Sequence, residues 1–481
     1  MRAIILFLTG LLALTTAFND KRRVCYHLGW TATRNGTSRF DINSLPEKSC
    51  THLIYASAGL NPYNGEIIAA NENSVAVTDE ETPIGYQKLK NLVLRDSRLK
   101  TMISLGGDAV DGSTISMVLR EPTLRFNLVK SIVKFLVKYE FNGFDLNWKY
   151  PKSLEDKRNL VLFLKELKKQ FEPKGWVLSI TAHMSANQYY DYDGVSKHVD
   201  FINMMLFNFN GPWMGTTGPS APLDSTNNIN VHVFVQNWMD NHVPNEKIVM
   251  GISSIGVVST LLNPSDNKMN AMVAESGRPG PYNNLRGLLG YFEFCKEMSQ
   301  WTVIYDEMHR MPYAYKGDQW MSFENKQSIS EKVNYVMEKD LGGIAIWTVD
   351  NDDFNGVCGE KWPLLNTINK ALSTQSGSFA YRKNGVSDYS RGNFLPRNPK
   401  QRSRRSVRNF RAAGSPQQKS AASLKQSNSC DIVGELTGDP HDCNVFYQCT
   451  ADLQRQKLTC PTVLVFNPQS KVCDYKQNVQ C

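Results

Sequence analysis

Short apolar segments alternate with longer amphipathic ones through the first three quarters of this 481-residue chain. Eight of the short segments have the length and the period-two alternation of β-strands. Longer runs between them, such as 124–139 and 157–171, have the periodicity of helices. Strands joined by helical crossovers predict an α/β fold, a parallel (β/α)8 TIM barrel. The predicted strands are Val24–Leu28, His52–Ala56, Thr101–Leu105, Gly143–Trp148, Val177–Ala182, Phe201–Phe207, Ile248–Ile252 and Gly343–Trp347.

This pattern defines one large domain over residues 18–372. The interval between the last two predicted strands, about 254–342, is too long for a single helical crossover. It therefore predicts a small α+β insertion within the barrel.

The amino terminus has the pattern of a secretory signal peptide over residues 1–17, with an apolar run followed by charge. No later stretch of the sequence reaches the length of a membrane-spanning helix. The ten cysteines, an even number, suit an oxidising compartment. The sequence therefore predicts a secreted, extracellular protein with disulfide bonds. Asn35-Gly36-Thr37 is a glycosylation sequon, so a glycoprotein modified at Asn35 is expected.

The formal charge of +8 comes from one segment, residues 373–428. This segment holds twelve Lys and Arg and one acidic residue, a local charge of +11 that leaves −3 for the rest of the chain. It is rich in Ser, Gln, Asn and Gly and poor in periodic apolar residues, which predicts a basic disordered linker. The basic charge is thus a property of a tether and does not indicate nucleic-acid binding. A second interpretation is that Arg402–Arg405 is a proteolytic processing site.

The chemistry of the chain is concentrated in residues 141–151, Phe-Asn-Gly-Phe-Asp-Leu-Asn-Trp-Lys-Tyr-Pro. Period-two alternation places Asp145, Asn147 and Lys149 on one face of a strand. The segment closely resembles the Asp-Gly-x-Asp-x-Asp-Trp-Glu-Tyr-Pro signature of the family 18 chitinases. In that signature the last carboxylate is the general acid, and here its position holds Lys149.

Four further segments resemble motifs of the same family and occur in the same order. The resemblance covers about 22–372, and it implies the TIM barrel that the strand pattern also predicts. The segments are 104–107 (Ser-Leu-Gly-Gly), 200–205, 312–315 and 342–347.

The resemblance implies a substrate-assisted mechanism in which the N-acetyl oxygen of the sugar attacks the anomeric carbon. That mechanism needs an acid, a neighbouring Asp and a Tyr-Asp pair. The matching positions here are Lys149, Asn147, Phe207 and Asn208, so only Asp145 remains of the carboxylate series. A lysine with an ordinary pKa near 10.4 keeps its proton, and its charge opposes the positive transition state. We therefore predict a degenerate site with no catalytic residue.

Three alternatives remain open for the site. The first is a weakly active chitinase that uses a residual carboxylate such as Asp145. The second is a growth-factor-like signalling barrel that the tail anchors to chitin. The third, a Schiff-base lysine, needs a carbonyl substrate, which nothing in the sequence indicates. We expect Lys149 to pair with Asp145, four residues (two pleats) earlier on the same face of the strand.

Aromatic side chains at strand ends provide candidate sugar contacts. The resemblance implies carbohydrate-binding roles for Trp30, Trp213, Trp347, Met205 and Tyr313. Asp108 stands where the family usually has a Trp, so one sugar platform is predicted to be lost. The competing interpretation is that these Trp residues are core packing.

Residues 429–481 contain six cysteines in a segment too short to bury much of a core. Six cysteines allow fifteen pairings, which spacing alone does not resolve. A zinc knuckle is the competing interpretation, but the segment has no Cys-x2-Cys pair. The segment resembles the peritrophin-A chitin-binding domain, a small disulfide-rich β module. That resemblance implies the pairs Cys430–Cys449, Cys443–Cys481 and Cys460–Cys473, and the remaining cysteines are expected to pair as Cys25–Cys50 and Cys295–Cys358.

Together these features predict a secreted, catalytically inactive chitinase-like lectin that binds chitin or chito-oligosaccharides. No cofactor, metal, nucleic-acid partner or membrane association is expected, and the protein is expected to be a monomer. The layout resembles that of chitinase-like proteins of arthropods and related invertebrates, some of which are mite allergens.

Overall fold

The structure, a computed structural model, describes residues 21–69, 84–383, 436–449, 454–460, 464–468, 472–475 and 479. The predicted signal peptide lies outside these residues, as does most of the predicted linker. The described residues fall into two compact units, one before and one after the linker region.

Eight parallel strands form a closed barrel, as the sequence predicts. β1 pairs with both β2 and β15, which closes the sheet. A short strand, β3 (Ile67–Ile68), adds to β2 antiparallel. The barrel strands are β1 (Arg22–Leu28), β2 (His52–Leu60), β4 (Lys100–Gly106), β5 (Gly143–Asn147), β6 (Val177–His183), β7 (Phe201–Met205), β8 (Ile248–Ser253) and β15 (Gly343–Trp347).

Helices connect the strands around the outside of the barrel. Ser153 caps the amino terminus of α4, where its side chain accepts a hydrogen bond from the backbone N–H of Asp156. α3 begins at Pro122, whose missing N–H costs nothing in the first turn. The helices are α1 (Ile84–Arg95), α2 (Gly112–Arg120), α3 (Pro122–Tyr139), α4 (Leu154–Phe171), α5 (Tyr192–His198), α6 (Val231–Asp240), α7 (Tyr291–Glu297), α8 (Lys326–Glu338) and α9 (Pro363–Lys383).

The apolar core has two parts. A small cluster that includes Tyr26, Met102, Phe201 and Val249 fills the inside of the barrel. A much larger cluster lies between the outer faces of the strands and the helices. Burial on both faces explains why the strand sequences are almost continuously apolar.

The predicted insertion is present between β8 and α8. It is a six-stranded antiparallel sheet, and α7 lies within it. This insertion explains the long interval between the last two barrel strands. The strands are β9 (Ile255–Leu261), β10 (Val273–Ser276), β11 (Leu288–Gly290), β12 (Thr302–Asp306), β13 (Met311–Lys316) and β14 (Gln319–Ser322).

The carboxyl-terminal unit is a small β module. Phe466 is buried, and its ring stacks on that of Phe446 with centroids 4.7 Å apart. The two aromatic rings thus supply an apolar contact between the strands that carry them. Its strands are β16 (Leu436–Gly438), β17 (Val445–Cys449), β18 (Arg455–Thr459), β19 (Leu464–Asn467) and β20 (Val472–Tyr475).

Helix α9 continues past the predicted end of the barrel domain at residue 372. Residues 373–383 are helical, so the first part of the predicted linker belongs to a regular element. Because residues 373–383 contain no proline, the helix that starts in the apolar segment before them continues without interruption. Within the described ranges, no helix combines the length and apolar character needed to cross a membrane.

Candidate functional site

A cleft lies at the carboxyl ends of the barrel strands, the usual position for sites in this fold. Its volume is about 530 Å³. β5 and the residues after it supply Asn147 and Lys149, and the turn after β4 supplies Asp108. The residues that line the cleft are Asp108, Asn147, Lys149, Tyr150, His183, Met184, Met205, Phe207, Asn208, Trp213, Ser253, Ile255, Leu288 and Trp347.

Asp145 lies inside the barrel, below the cleft, and is fully buried. Its carboxylate accepts hydrogen bonds from Ser179 Oγ (2.6 Å), Ser104 Oγ (2.9 Å), Thr181 Oγ1 (3.1 Å) and Tyr26 Oη (3.2 Å). Burial raises the pKa of Asp145, and these hydrogen bonds act in the opposite direction. This carboxylate therefore organises the barrel interior and does not line the cleft.

The expected pairing of Lys149 with Asp145 is wrong. Lys149 Nζ instead lies 2.7 Å from Oδ1 of Asp108. The strand ends at Asn147, so the alternation that places residues 145 and 149 on one face does not reach Lys149. The acceptor sites of Asp145 are already occupied by hydroxyl groups. The lysine therefore finds its counter-charge on the neighbouring loop.

The ion pair joins two positions that the sequence analysis treats separately. Asp108, considered there as the loss of a sugar platform, is the counter-ion of Lys149. Its side chain is 86% exposed, whereas that of Lys149 is 26% exposed. The ammonium thus lies in the cleft and the carboxylate at its rim.

Asn147 is 1% exposed and lies at the end of β5. Its Oδ1 lies 3.5 Å from Nε2 of His183, and its Nδ2 has no hydrogen-bond partner among the described residues. The backbone carbonyl of Asn147 accepts a hydrogen bond from Gly107 N–H at 2.7 Å. A Cβ on Gly106 would lie 2.1 Å from that carbonyl oxygen, so the close approach of the two strand ends requires glycine there.

His183 is a cleft residue that the sequence analysis misses. Its ring makes an edge contact with that of Tyr150, with centroids 4.8 Å apart. Burial and the nearby charge of Lys149 lower its pKa to about 3, so the ring is neutral at physiological pH. The available signal was its position, directly after the predicted strand Val177–Ala182.

The predicted sugar-contact residues fall into two groups. Trp213, Trp347 and Met205 line the cleft, as do the degenerate positions Phe207 and Asn208. The indole of Trp213 is 60% exposed and lies against the backbone of Gly211, which leaves its other face open.

Trp30 and Tyr313 do not line the cleft. Trp30 is 41% exposed, and the guanidinium carbon of Arg34 lies 5.1 Å from the centroid of the Trp30 ring. Tyr313 is in the insertion, where it stacks on Trp320 with centroids 5.4 Å apart. Their assignment as sugar contacts stays a prediction.

The two disulfides predicted for the barrel are present, Cys25–Cys50 and Cys295–Cys358. Cys443 and Cys460 are also disulfide-bonded. The side chains of Cys430, Cys449, Cys473 and Cys481 lie outside the described residues, so the pairing in the terminal module stays a prediction.

Two further observations concern the predicted glycosylation site and a group of residues with metal-ligand chemistry. Asn35 is exposed, as a glycosylation site must be. Asp353 lies beside Cys295 and Cys358, but the two sulfurs are bonded to each other, so this group offers no thiolate to a metal. The Asp353 carboxylate instead accepts hydrogen bonds from the backbone N–H groups of residues 356–358.

The closed barrel, its insertion and the cleft at the strand ends define the large domain as a (β/α)8 TIM barrel with a candidate site at the usual position. The chain belongs to the glycosyl hydrolases family 18, whose sequence profile matches residues 22–352. Residues 430–481 match the chitin-binding peritrophin-A domain.

Relatives of known name include both chitinases and a pseudo-chitinase. An endochitinase of Manduca sexta is 32% identical over 405 residues, which cover 78% of this chain and 72% of that protein. The structure of a group IV chitinase of Ostrinia furnacalis is 33% identical with a TM-score of 0.69 and covers 74% of this chain and 100% of that one. Human YKL-39, described as a pseudo-chitinase with retained chitooligosaccharide binding properties, is 26% identical with a TM-score of 0.67 and covers 73% of this chain and 100% of that one.

Proposed function

We propose that this protein is an extracellular lectin that binds chitin or chito-oligosaccharides and does not hydrolyse them. One observation carries the proposal. The position that the family resemblance assigns to the proton donor holds Lys149, whose ammonium lies in the cleft and is paired with Asp108.

The cleft offers poor replacements for the lost acid. Asp108 is engaged in an ion pair with Lys149 and lies at the rim of the cleft, not inside it. The pKa of His183 is lowered to about 3, so near neutral pH its ring is neutral and is not an imidazolium that could donate a proton. The Lys149 ammonium opposes the positive charge that develops on the sugar during glycoside cleavage.

The surroundings of the acid also differ from those that the mechanism needs. Asn147 replaces the carboxylate expected to hold the acetamido N–H, and its buried Nδ2 is a donor. Phe207 has no hydroxyl, and Asn208 has no charge. Because general acid–base assistance by one group is worth about 10²–10⁴-fold, the combined loss should bring hydrolysis below detection.

Binding does not need the acid. The cleft volume of about 530 Å³ suits a bound saccharide segment, and Trp213, Trp347 and Met205 line it. The exposed face of Trp213 is the kind of flat surface on which sugar rings stack. The pseudo-chitinase YKL-39 is a precedent for binding without catalysis on this fold. The terminal module adds a second chitin contact.

A weakly active chitinase is the second candidate, because relatives covering most of the barrel are named chitinases. Both functions include sugar binding, so a binding assay and a hydrolysis assay are needed on the same sample. Tryptophan fluorescence separates the barrel from the tail, because all nine Trp residues precede residue 363.

The test is titration of the full-length protein with an N-acetylated chito-oligosaccharide. The proposal expects a saturable change in tryptophan fluorescence and no shortened product. Trp213→Ala should weaken binding, whereas Trp176→Phe, away from the cleft, should leave the affinity unchanged. Catalytic turnover would favour the second candidate, and the absence of any fluorescence response would remove the barrel from the binding function.

A further inference from the structure

The two charges of the cleft differ in their exposure to water. Among the residues that line the cleft in the described part of the chain, only Lys149 and Asp108 are charged, because His183 is neutral. The Lys149 side chain is 26% exposed, whereas that of Asp108 is 86% exposed. Water screens the exposed carboxylate more strongly than it screens the ammonium. A ligand inside the cleft therefore meets a net positive charge.

A second hydrogen-bond donor lies close to this charge. Asn147 is buried, and its Nδ2 has no hydrogen-bond partner among the described residues. A Cβ on Gly107 would lie 3.2 Å from this nitrogen, so the amide group lies against the turn that also carries Asp108. A buried donor without an acceptor costs free energy. The Asn147 amide and the Lys149 ammonium thus both offer protons to an acceptor on this side of the cleft.

The carboxylates already present leave room for another acceptor. Asp145 lies below the cleft, and its oxygens accept hydrogen bonds from hydroxyl groups of the barrel interior. Asp108 is paired with Lys149, but a pair with so exposed a carboxylate is weak and is easily exchanged. A ligand carboxylate held inside the cleft, away from water, forms the stronger pair with an ammonium.

We propose that the cleft binds an N-acetylated saccharide that carries a carboxylate, which replaces Asp108 as the partner of Lys149 and accepts a hydrogen bond from Asn147. This inference rests on the proposed function of the cleft as a sugar site and names the class of sugar. Neutral chito-oligosaccharides also bind, through the apolar lining that includes Trp213 and Trp347, but more weakly. A saccharide with a free, protonated amino group is disfavoured, because its charge repels that of Lys149.

The experiment compares three tetrasaccharides that bind to the full-length protein, with tryptophan fluorescence as the readout. The first is N-acetylated chitotetraose. The second has the same backbone, but alternate units are N-acetylmuramic acid, the lactyl ether of N-acetylglucosamine. The third is the methyl ester of the second, which keeps its shape and removes its charge. The acid should bind about tenfold more tightly than its ester at low salt, and high salt should reduce the difference.

A second pair of probes distinguishes where the carboxylate is carried. It consists of a tetrasaccharide of alternating glucuronic acid and N-acetylglucosamine and the methyl ester of that chain. A preference for the acid over its ester in either pair supports the proposal. The pair that shows the preference identifies whether the carboxylate is on a substituent or on the sugar ring.

Three variants test whether Lys149 is the partner of the ligand carboxylate. Lys149→Gln should bring acid and ester to equal affinity. Asp108→Asn should act in the opposite direction, because it removes the competing carboxylate, and should raise the affinity for the acid but not for the ester. Lys169→Gln is the matched control, since this exposed lysine lies near the end of α4, at the opposite end of the barrel from the cleft. It should leave both affinities unchanged.

The outcomes separate this inference from the proposed function. Equal affinities of acid and ester in both pairs, with chitotetraose still bound, would overturn the inference and leave the cleft a site for neutral sugars. A preference for the acid that persists in Lys149→Gln would also overturn it, because another cation would then be responsible. The absence of a fluorescence response to every tetrasaccharide would contradict the proposed function itself.

Discussion

The substitution Lys149→Glu tests the ion pair on which the account of the cleft rests. It restores the residue type of the family signature but places a second carboxylate beside Asp108, where Nζ and Oδ1 are now 2.7 Å apart. An exposed ion pair stabilises a protein by about 0.2–1 kcal/mol. Because the side chain of Asp108 is 86% exposed, solvent screening limits the repulsion in the variant to the same range. Reversal from attraction to repulsion should therefore lower the free energy of unfolding by about 0.4–2 kcal/mol near neutral pH.

The pH dependence has a definite sign. Repulsion from Asp108 raises the folded-state pKa of the introduced carboxyl above its unfolded value. The variant is therefore least destabilised below the unfolded pKa of about 4.3, and the deficit grows as pH rises through the raised folded-state pKa. Salt should reduce the deficit because it screens exposed charges.

The assay is urea unfolding followed by tryptophan fluorescence, which reports on the barrel alone. Lys149→Gln is the matched control, because it removes the ion pair without adding repulsion. Combining Lys149→Glu with Asp108→Lys should recover most of the lost stability. Equal stability of the Glu and Gln variants at neutral pH, or no recovery in the charge-swapped variant, would refute the ion pair as an energetic feature. Lys149→Glu alone should not produce an efficient chitinase, because Asn147, Phe207 and Asn208 remain.

Three further predictions concern other parts of the chain. Burial raises the pKa of Asp145, so the stabilisation linked to its protonation is full below the unfolded pKa of about 3.9 and is lost as pH rises. Asp145→Asn should therefore flatten the pH dependence of urea unfolding. The same substitution should cost about 1–3 kcal/mol because it disrupts hydrogen bonds. A peptide of residues 428–481 should be retained on chitin before reduction and released after it, since disulfides stand in for a core; equal retention in both states would count against that. Dilute trypsin should cut first between Arg402 and Arg405, the densest basic cluster of the predicted linker, and leave an intact barrel; resistance there would contradict the composition argument.

The barrel could be predicted from the sequence because its signal is local and repeated. Each strand is a short apolar run, and all eight predicted strands are present with ends that differ by a few residues. The insertion was predictable from interval length alone. Two barrel disulfides also match the expected pairs.

The partners of charged side chains could not be predicted in the same way. Lys149 was expected to follow the alternation of its strand, but the strand ends at Asn147, and the counter-charge comes from the loop after β4. The hydroxyl groups that satisfy Asp145 come from other strands, which only the closed barrel brings together. The only signal for His183 was its position directly after a predicted strand, because its neutral state depends on burial and on proximity to Lys149, which the sequence does not show.

The most direct test of the central claim is prolonged incubation of the purified full-length protein with N-acetylated chito-oligosaccharides, with products analysed by mass spectrometry. The account predicts intact oligosaccharides throughout, from the wild type and from Lys149→Ala alike, while tryptophan fluorescence shows that the cleft is occupied. Shortened products from the wild type that disappear in Lys149→Ala would contradict it, because Lys149 would then support the cleavage that its ammonium is argued to prevent.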